Sequence, residues 1–549
     1  MTDPAPDPTD PLRLLREHPR LAQLAAFPFD FDLRRAEHGE AVRLASGASP
    51  EPMAGDDSGG TYFLCGGPDR SDRPNGPDRT DGPVLYASSE GQAGLIGATV
   101  TEALEILIGL PGWYDYVALA PDAGEERILA AVAEQEDGIR ESYAPDLDAQ
   151  RIELRTALGL PERSPVELLG MLHAALLRTE PEHVLLNADE GLAYALLDPH
   201  PRTPLRDIVL APGRADLAAM RAAGDRGTWD DVAADAVRRA TVLRAAQFDR
   251  RDADLPVLRY LLEREAADTG HSDELRLAAV LVGRHGPAED AALLRGGPLW
   301  LPEEPEARAA RARELDAERY GQDPSAAAEL TWVTLARRQG RTELARVGLI
   351  RLLDDTGPDA QLLSGIAQEL ALLGDFTQAA RAQYNVVSLQ DTAWHRASAG
   401  LVLAAYERSA AGLTGALRAL ERVVAALEPA PASASDQNPD QLQLDLGLEP
   451  PAARERDAVP DWRRRRRFGG RVTEEYLLLA LSAAEAAAEP GSDATSAASG
   501  DGAGSDAASV AREAMSHGRT LLREIAEPSR KALGPLAQKA KWAVARLPR

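Results

Sequence analysis

Few residues in this chain have the type and spacing that chemistry needs. One is Cys65, the single cysteine. A nucleophile would require a thiolate, and no histidine or lysine adjoins Cys65 in sequence to lower its pKa. In the run Tyr62-Phe63-Leu64-Cys65 a buried structural thiol is expected instead. Nine histidines stand at 18, 38, 173, 183, 200, 271, 285, 395 and 517. None forms an H-E-x-x-H pair or lies near Cys65 in sequence, so no metal site is expected. Gly91, Gly94 and Gly97 fall between a strand and a helix, where backbone N–H groups can cradle a phosphate. Their spacing is not G-x-G-x-x-G, and Leu95-Ile96 reads as a strand between them. A tight turn between strands is the favoured reading. No G-x-S-x-G nucleophile elbow occurs. Carboxylates are too numerous to single out a catalytic pair and read as solvated helix faces.

The lysines are confined to Lys531, Lys539 and Lys541. A phosphate loop of the G-x-x-x-x-G-K-[ST] type is therefore excluded, and a Schiff-base or kinase-type lysine is not expected. These observations point away from an enzyme. No catalytic residue, cofactor or metal ligand is assigned.

The elements that would position any functional group belong to a chain of 549 residues with a formal net charge of -26. The length predicts two to four domains. The charge argues against nucleic acid and anionic lipid as partners, since phosphate contact needs clustered positive charge. No apolar stretch is long enough to span a membrane. The acidic, proline-rich start Met1-Thr-Asp-Pro is no signal peptide, and a cytoplasmic location is the expectation. Scarce aromatics, at 5%, and abundant alanine suit packed helices.

Residues 1–11 read as a disordered tail. Leu12–Ala26 reads as a helix, and Glu40–Ala45 alternates as a half-buried strand. Thr61–Cys65 and Pro83–Ala87 read as further strands, flanking a flexible loop at 66–82. Thr99 and Glu102 have capping-box spacing before a helix. From Arg127 onward the pattern is almost wholly helical. Ser164-Pro165-Val166-Glu167 is a capping box, and helices are expected at 229–248, 255–267 and 273–284.

Between Leu330 and Leu427 the helices repeat. Gly340 and Gly374 are 34 residues apart, as are Ala345 and Ala379, Ile350 and Tyr384, and Leu353 and Val387. A looser third copy places Gly412, Ala416, Leu420 and Val424. Residues 429–461 read as a disordered linker. Within it, Gln443-Leu444-Asp445-Leu446-Gly447-Leu448 fits the Q-L-x-L-x-L pattern of peptides that bind the bacterial sliding clamp. There Gln443 would set register while Leu444, Leu446 and Leu448 enter an apolar groove. Arg463–Arg467 follow Trp462 as a basic run, an exposed segment or a dock for an acidic partner or nucleic acid. Helices are expected at 472–489, 509–527 and 530–547, with a low-complexity insert at 490–506.

The first unit resembles the SUKH superfamily of small α+β modules. The resemblance rests on Gly59-Gly60-Thr61-Tyr62-Phe63-Leu64, on Pro83-Val84-Leu85-Tyr86, and on Ser89-Glu90-Gly91 before Leu95–Gly109. Members of that family often act as immunity proteins that neutralise toxins, and others serve as adaptors. The resemblance implies a protein partner, a toxin domain among the candidates, contacted through Tyr62, Tyr86 and Glu90. Residues 229–296 resemble HEAT repeats, and 330–427 resemble tetratricopeptide repeats with their 34-residue period.

The expected fold is thus an α+β N-terminal module followed by a mostly α helical-repeat solenoid. The expected parts are a module at 12–120, a helical region at 121–300 and repeats at 301–428. A linker with the basic run at 429–470 and closing helices at 471–549 complete the chain. The functional expectation is a non-enzymatic protein–protein interaction adaptor. A small-ligand sensor and a sliding-clamp factor are the alternatives.

Overall fold

The computed structural model describes residues 10–66, 82–120, 122–223, 226–268, 272–286, 288–295, 299–428, 461–465, 467–488 and 500–547. Its contacts divide the chain into two compact units, Met1–Arg351 and Leu352–Arg549. The fold class is the one expected: an α+β module comes first, and a long run of stacked helices follows.

The first unit carries the described strands. They are β1 (Val42–Leu44), β2 (Glu51–Gly55), β3 (Thr61–Leu64), β4 (Val84–Ala87), β5 (Gln92–Gly97), β6 (Leu185–Asn187) and β7 (Ala195–Leu196). Five of them form one sheet in the order β2-β3-β4-β5-β7, and β1 pairs with β6. All pairings are antiparallel except β5 with β7. Every residue of β3 and β4 is buried, which requires cover on both faces. Alternate side chains accordingly serve two cores. Tyr62, Leu64, Val84 and Tyr86 join the larger one with Leu104 and Leu107 of the helix Val100–Gly109. Phe63, Cys65, Leu85 and Ala87 join the smaller one with Leu44, Ala175 and Leu185.

This module does not close at residue 120. β7 adds to the sheet beside β5, β6 pairs with β1, and one core runs from Leu12 to Leu197. The module expected at 12–120 therefore needs residues 185–197 to complete its sheet and core. At three and two residues, β6 and β7 are too short to show alternation. The expected helix Leu12–Ala26 is two helices, Pro11–Glu17 and Pro19–Ala26, because Pro19 restricts His18 to extended backbone. Asp10 caps the first of them, with Leu12 N donating to its carboxylate at 3.0 Å. Asp10 and Pro11, within the expected tail, are thus folded, and its residues 1–9 lie outside the described residues.

The three glycines before the helix Val100–Gly109 are accounted for by packing. Gly91 has φ +78° in the turn between β4 and β5. A Cβ on Gly94 would lie 2.8 Å from a Leu176 methyl, and one on Gly97 would lie 2.6 Å from the Ala103 backbone nitrogen. The helix terminus is occupied by its own cap, the Thr99 hydroxyl accepting from Glu102 N at 3.0 Å.

The remainder of the first unit is helical. Ser164 and Glu167 form the expected capping box on Pro165–Leu177. The expected helix at 229–248 is interrupted at Asp235, whose carboxylate accepts from Val237 N at 2.7 Å. Two helices result, Arg226–Ala234 and Ala236–Phe248. Neighbouring helices are joined by arginine forks: Arg239 to Glu265 at 3.1 Å, Arg244 to Asp273 at 2.5 Å, and Arg250 to Asp316 at 2.6 Å. Buried sites of this kind favour the planar guanidinium over the strongly hydrated ammonium of lysine. The unit ends with Glu329–Arg338 and the start of Thr342–Asp355. Those two approach closely at Gly348, where a Cβ would lie 3.1 Å from Val333.

The second unit stacks Ala360–Leu372 on Phe376–Ser388, then Ala393–Ser409 on Leu413–Leu427. Phe468–Ala488, Gly500–Glu524 and Glu527–Ala545 follow. Helices end at Gly340 and Gly374 with φ +73° and +77°. Arg341 N and Asp375 N reach back five residues to Ala336 O and Leu370 O, each at 3.0 Å, the Schellman closure. In the third turn the equivalent bond runs from Gly412 N to Glu407 O at 2.8 Å. The left-handed residue is then Ala411, at φ +61°, so the third copy is displaced by one residue from the expected alignment on Gly412. Ala345, Ala379 and Ala416 are fully buried, as close packing after each turn demands.

Of the expected linker at 429–470, residues 429–460 lie outside the described residues, and Asp461–Arg465 are folded. Trp462 is buried, the Arg463 guanidinium lies 4.7 Å from the Trp462 ring and that of Arg465 lies 4.9 Å from the Trp394 ring. Arg463 also pairs with Glu428 and Glu524. The expected insert at 490–506 overlaps the last long helices, since Gly500–Glu524 already begins at residue 500. Among the described residues no helix is long and apolar enough to cross a membrane.

Candidate functional site

The residues singled out from the sequence are brought together in part. Tyr62 and Tyr86 sit side by side on β3 and β4, with ring centroids 5.1 Å apart. Their exposures are 0% and 2%, so neither can touch a partner, and their assignment as contact residues is corrected. Alternation on two covered strands places them in the core. Glu90 is exposed on the turn from Ser88 to Gln92. Gln443, Leu444, Leu446 and Leu448 lie outside the described residues.

The two tyrosines support a surface instead. Tyr62 accepts from Trp113 Nε1 at 3.3 Å, and Tyr86 packs edge-on against Trp113 at 5.0 Å. The Tyr114 ring follows at 6.0 Å from Tyr86 and is 40% exposed. Its hydroxyl donates to Gln92 Oε1 at 2.8 Å, next to the Glu90 turn. Phe27 and Tyr143 pack against each other at 5.6 Å and are 44% and 53% exposed.

Carboxylates border these rings. Asp56 Oδ1 accepts from Gly60 N at 2.7 Å and from Ser58 N and Oγ at 2.9 Å. Its Oδ2 accepts from the Tyr86 hydroxyl at 2.6 Å. Gly60 is required there, because a Cβ would collide with the Tyr86 ring. Arg35 donates to the Asp56 carbonyl at 2.9 Å and pairs with Asp57 at 2.9 Å. Asp30 has φ +53°, a conformation that short polar side chains adopt more readily than others. Burial, then Asp57 and Asp56, push its carboxyl up to about 6, while Arg35 opposes the rise. Burial raises Tyr143 too, helped by Asp30 and Asp115. Exposed aromatic faces beside crowded carboxylates form a surface suited to a cation.

No family of known proteins, no characterised protein and no solved structure matches this chain. The face must therefore be judged on its own chemistry.

A second polar group lies across the small core. His38 Nδ1 is 3.0 Å from Thr61 Oγ1, and its Nε2 is 3.0 Å from the Tyr194 hydroxyl. That hydroxyl donates to Glu40 at 3.0 Å. Burial lowers the His38 pKa against the pull of Glu40. These bonds tie the segment before β1 to β3 and to Tyr194 and have a positioning role. Cys65 is buried, which pushes its thiol up to about 12 and leaves it unreactive.

Sequence reasoning missed Asp30, Tyr114 and Tyr143. No spacing in Phe27-Pro28-Phe29-Asp30 announces a positive φ, and Tyr143 reaches the site from the end of a helix, Glu125–Ser142, that was not assigned to the module.

Proposed function

We propose that this chain is a non-enzymatic protein–protein interaction adaptor. Its α+β head receives an arginine- or lysine-bearing surface of a protein partner on the face formed by Phe27, Tyr143, Asp30 and Asp57. The observation that carries this reading is Asp30, a carboxylate crowded by Asp56 and Asp57 and bordered by exposed rings. An incoming cation would relieve that crowding and gain the aromatic faces at the same time. The SUKH-like reading, with a toxin domain as one form of partner, fits a head built on a sheet with a charged rim. The stacked hairpins, read as tetratricopeptide- and HEAT-like, would present further protein-binding surface. A cytoplasmic location accords with the chain's single cysteine.

The test is affinity purification of the full-length chain from its native host, with mass spectrometry of what is retained. Wild type is compared with Asp30→Asn and Tyr143→Ala. A specific protein is expected on the wild type, released by salt and reduced at least tenfold on each variant. Equal retention on all three would overturn the reading. Loss of binding in Asp30→Asn could not be blamed on unfolding, because that change removes an unfavourable charge.

A further inference from the structure

In the second unit three helices meet: Leu413–Leu427, Phe468–Ala488 and Gly500–Glu524. Glu513 and His517 are one helical turn apart on the last of them and therefore share a face. His517 Nε2 lies 4.0 Å from Glu513 Oε1, and both side chains are about half exposed. Glu421 approaches from Leu413–Leu427, so that one donor atom from each of the three residues lies within 4.8 Å of the others.

Beneath them is Tyr476, which is 1% exposed. Its ring stacks on His517 at 5.3 Å and 27°. Burial raises its pKa, and Glu421, Glu513 and Glu428 add to the rise. Glu428 is paired with Arg463. Among the described residues neither Glu421 nor Glu513 has an arginine or lysine partner, in a protein where arginine answers most partly buried carboxylates.

We propose that Glu421, Glu513 and His517 bind a divalent transition-metal ion of the zinc class. Two carboxylate oxygens and one imidazole nitrogen suit zinc, manganese or iron(II), whereas calcium and magnesium take oxygen alone. Bonds of about 2.0–2.2 Å draw the donor atoms closer than they stand, a movement that half-exposed side chains can make by rotamer change. Three protein ligands leave a fourth position for water. The bound ion would bridge Leu413–Leu427 to Gly500–Glu524. The sequence gives no hint of this, because its recognisable metal motifs are local and the third donor lies far upstream.

The test uses full-length protein stripped of metal. It is titrated with Zn2+ by calorimetry and with Co2+ by visible absorption. Wild type should bind one equivalent saturably, with the visible bands of tetrahedral or five-coordinate Co2+. Glu421→Gln and His517→Ala should each weaken binding at least tenfold, with unchanged circular dichroism. Absence of saturable binding to the wild type would overturn the proposal. So would binding to Glu421→Gln and His517→Ala as tight as to the wild type, since the ion would then be held elsewhere.

Discussion

The Tyr86 hydroxyl donates a 2.6 Å hydrogen bond to Asp56 Oδ2, and so joins the aromatic core of the head to the acidic turn at its rim. Bonds to a charged acceptor contribute more than neutral ones. Tyr86→Phe should therefore lower stability by about 1.5 kcal/mol, at the low end for a charged acceptor, because Asp56 keeps its other donors. Urea denaturation should show an earlier midpoint with an unchanged slope.

Asp30 sets a pH dependence whose sign can be worked out. Its folded pKa, about 6, lies above the ordinary aspartate value of 3.8. The folded state therefore holds this proton more tightly than the unfolded state. The contribution is complete below the unfolded pKa and is lost as pH rises through about 6. Asp30→Asn keeps a side chain that tolerates positive φ and removes the charge. It should raise stability at pH 7 by about 1–2 kcal/mol after allowance for solvent screening, and flatten the profile between about 4 and 6. A melting series over that range checks both effects. No stabilisation at pH 7 would contradict the assignment.

Ala411 and Gly374 occupy equivalent turn positions with φ +61° and +77°. A Cβ in this conformation costs roughly 1–2 kcal/mol. Ala411→Gly should stabilise the second unit by about 1 kcal/mol, and Gly374→Ala should destabilise it by a similar amount. Opposite shifts in the denaturation midpoint are the expected pair of results.

Gly97→Ala would bring a Cβ to 2.6 Å from the Ala103 nitrogen. Strand β5 and the helix Val100–Gly109 are held by packing on both sides, so neither can retreat freely. A loss of about 1–3 kcal/mol is expected from this overpacking, read as a lower melting temperature. Gly91→Ala, which meets no atom within 4 Å but has φ +78°, should cost only the backbone strain.

Much of the architecture could be read from residue patterns. The Ser164 capping box, the strands at Tyr62 and Tyr86, and the hairpins ending at Gly340 and Gly374 all follow from local rules that the chain obeys. What escaped depended on distant residues. β6 and β7 acquire strand geometry only by pairing with β1 and β5. Ala411 could not be identified because Gly412, the residue after it, is the more obvious turn former. At the candidate site, Glu90 lies exposed on a turn. Tyr62 and Tyr86 were assigned outward because one sequence cannot tell which strand faces are covered. Asp30 acquires its character from Asp56 and Asp57, which only the folded sheet brings near.

The parallel pairing of Gln92 with Ala195 has a bearing on how the protein is made. The sheet cannot receive its last strand until roughly 200 residues have left the ribosome, and contacts of such sequence separation form slowly. Until then β5 offers an open hydrogen-bonding edge to any nascent neighbour. A gene fragment that stops at residue 120 would keep that edge bare permanently, and its product should precipitate where the intact polypeptide does not.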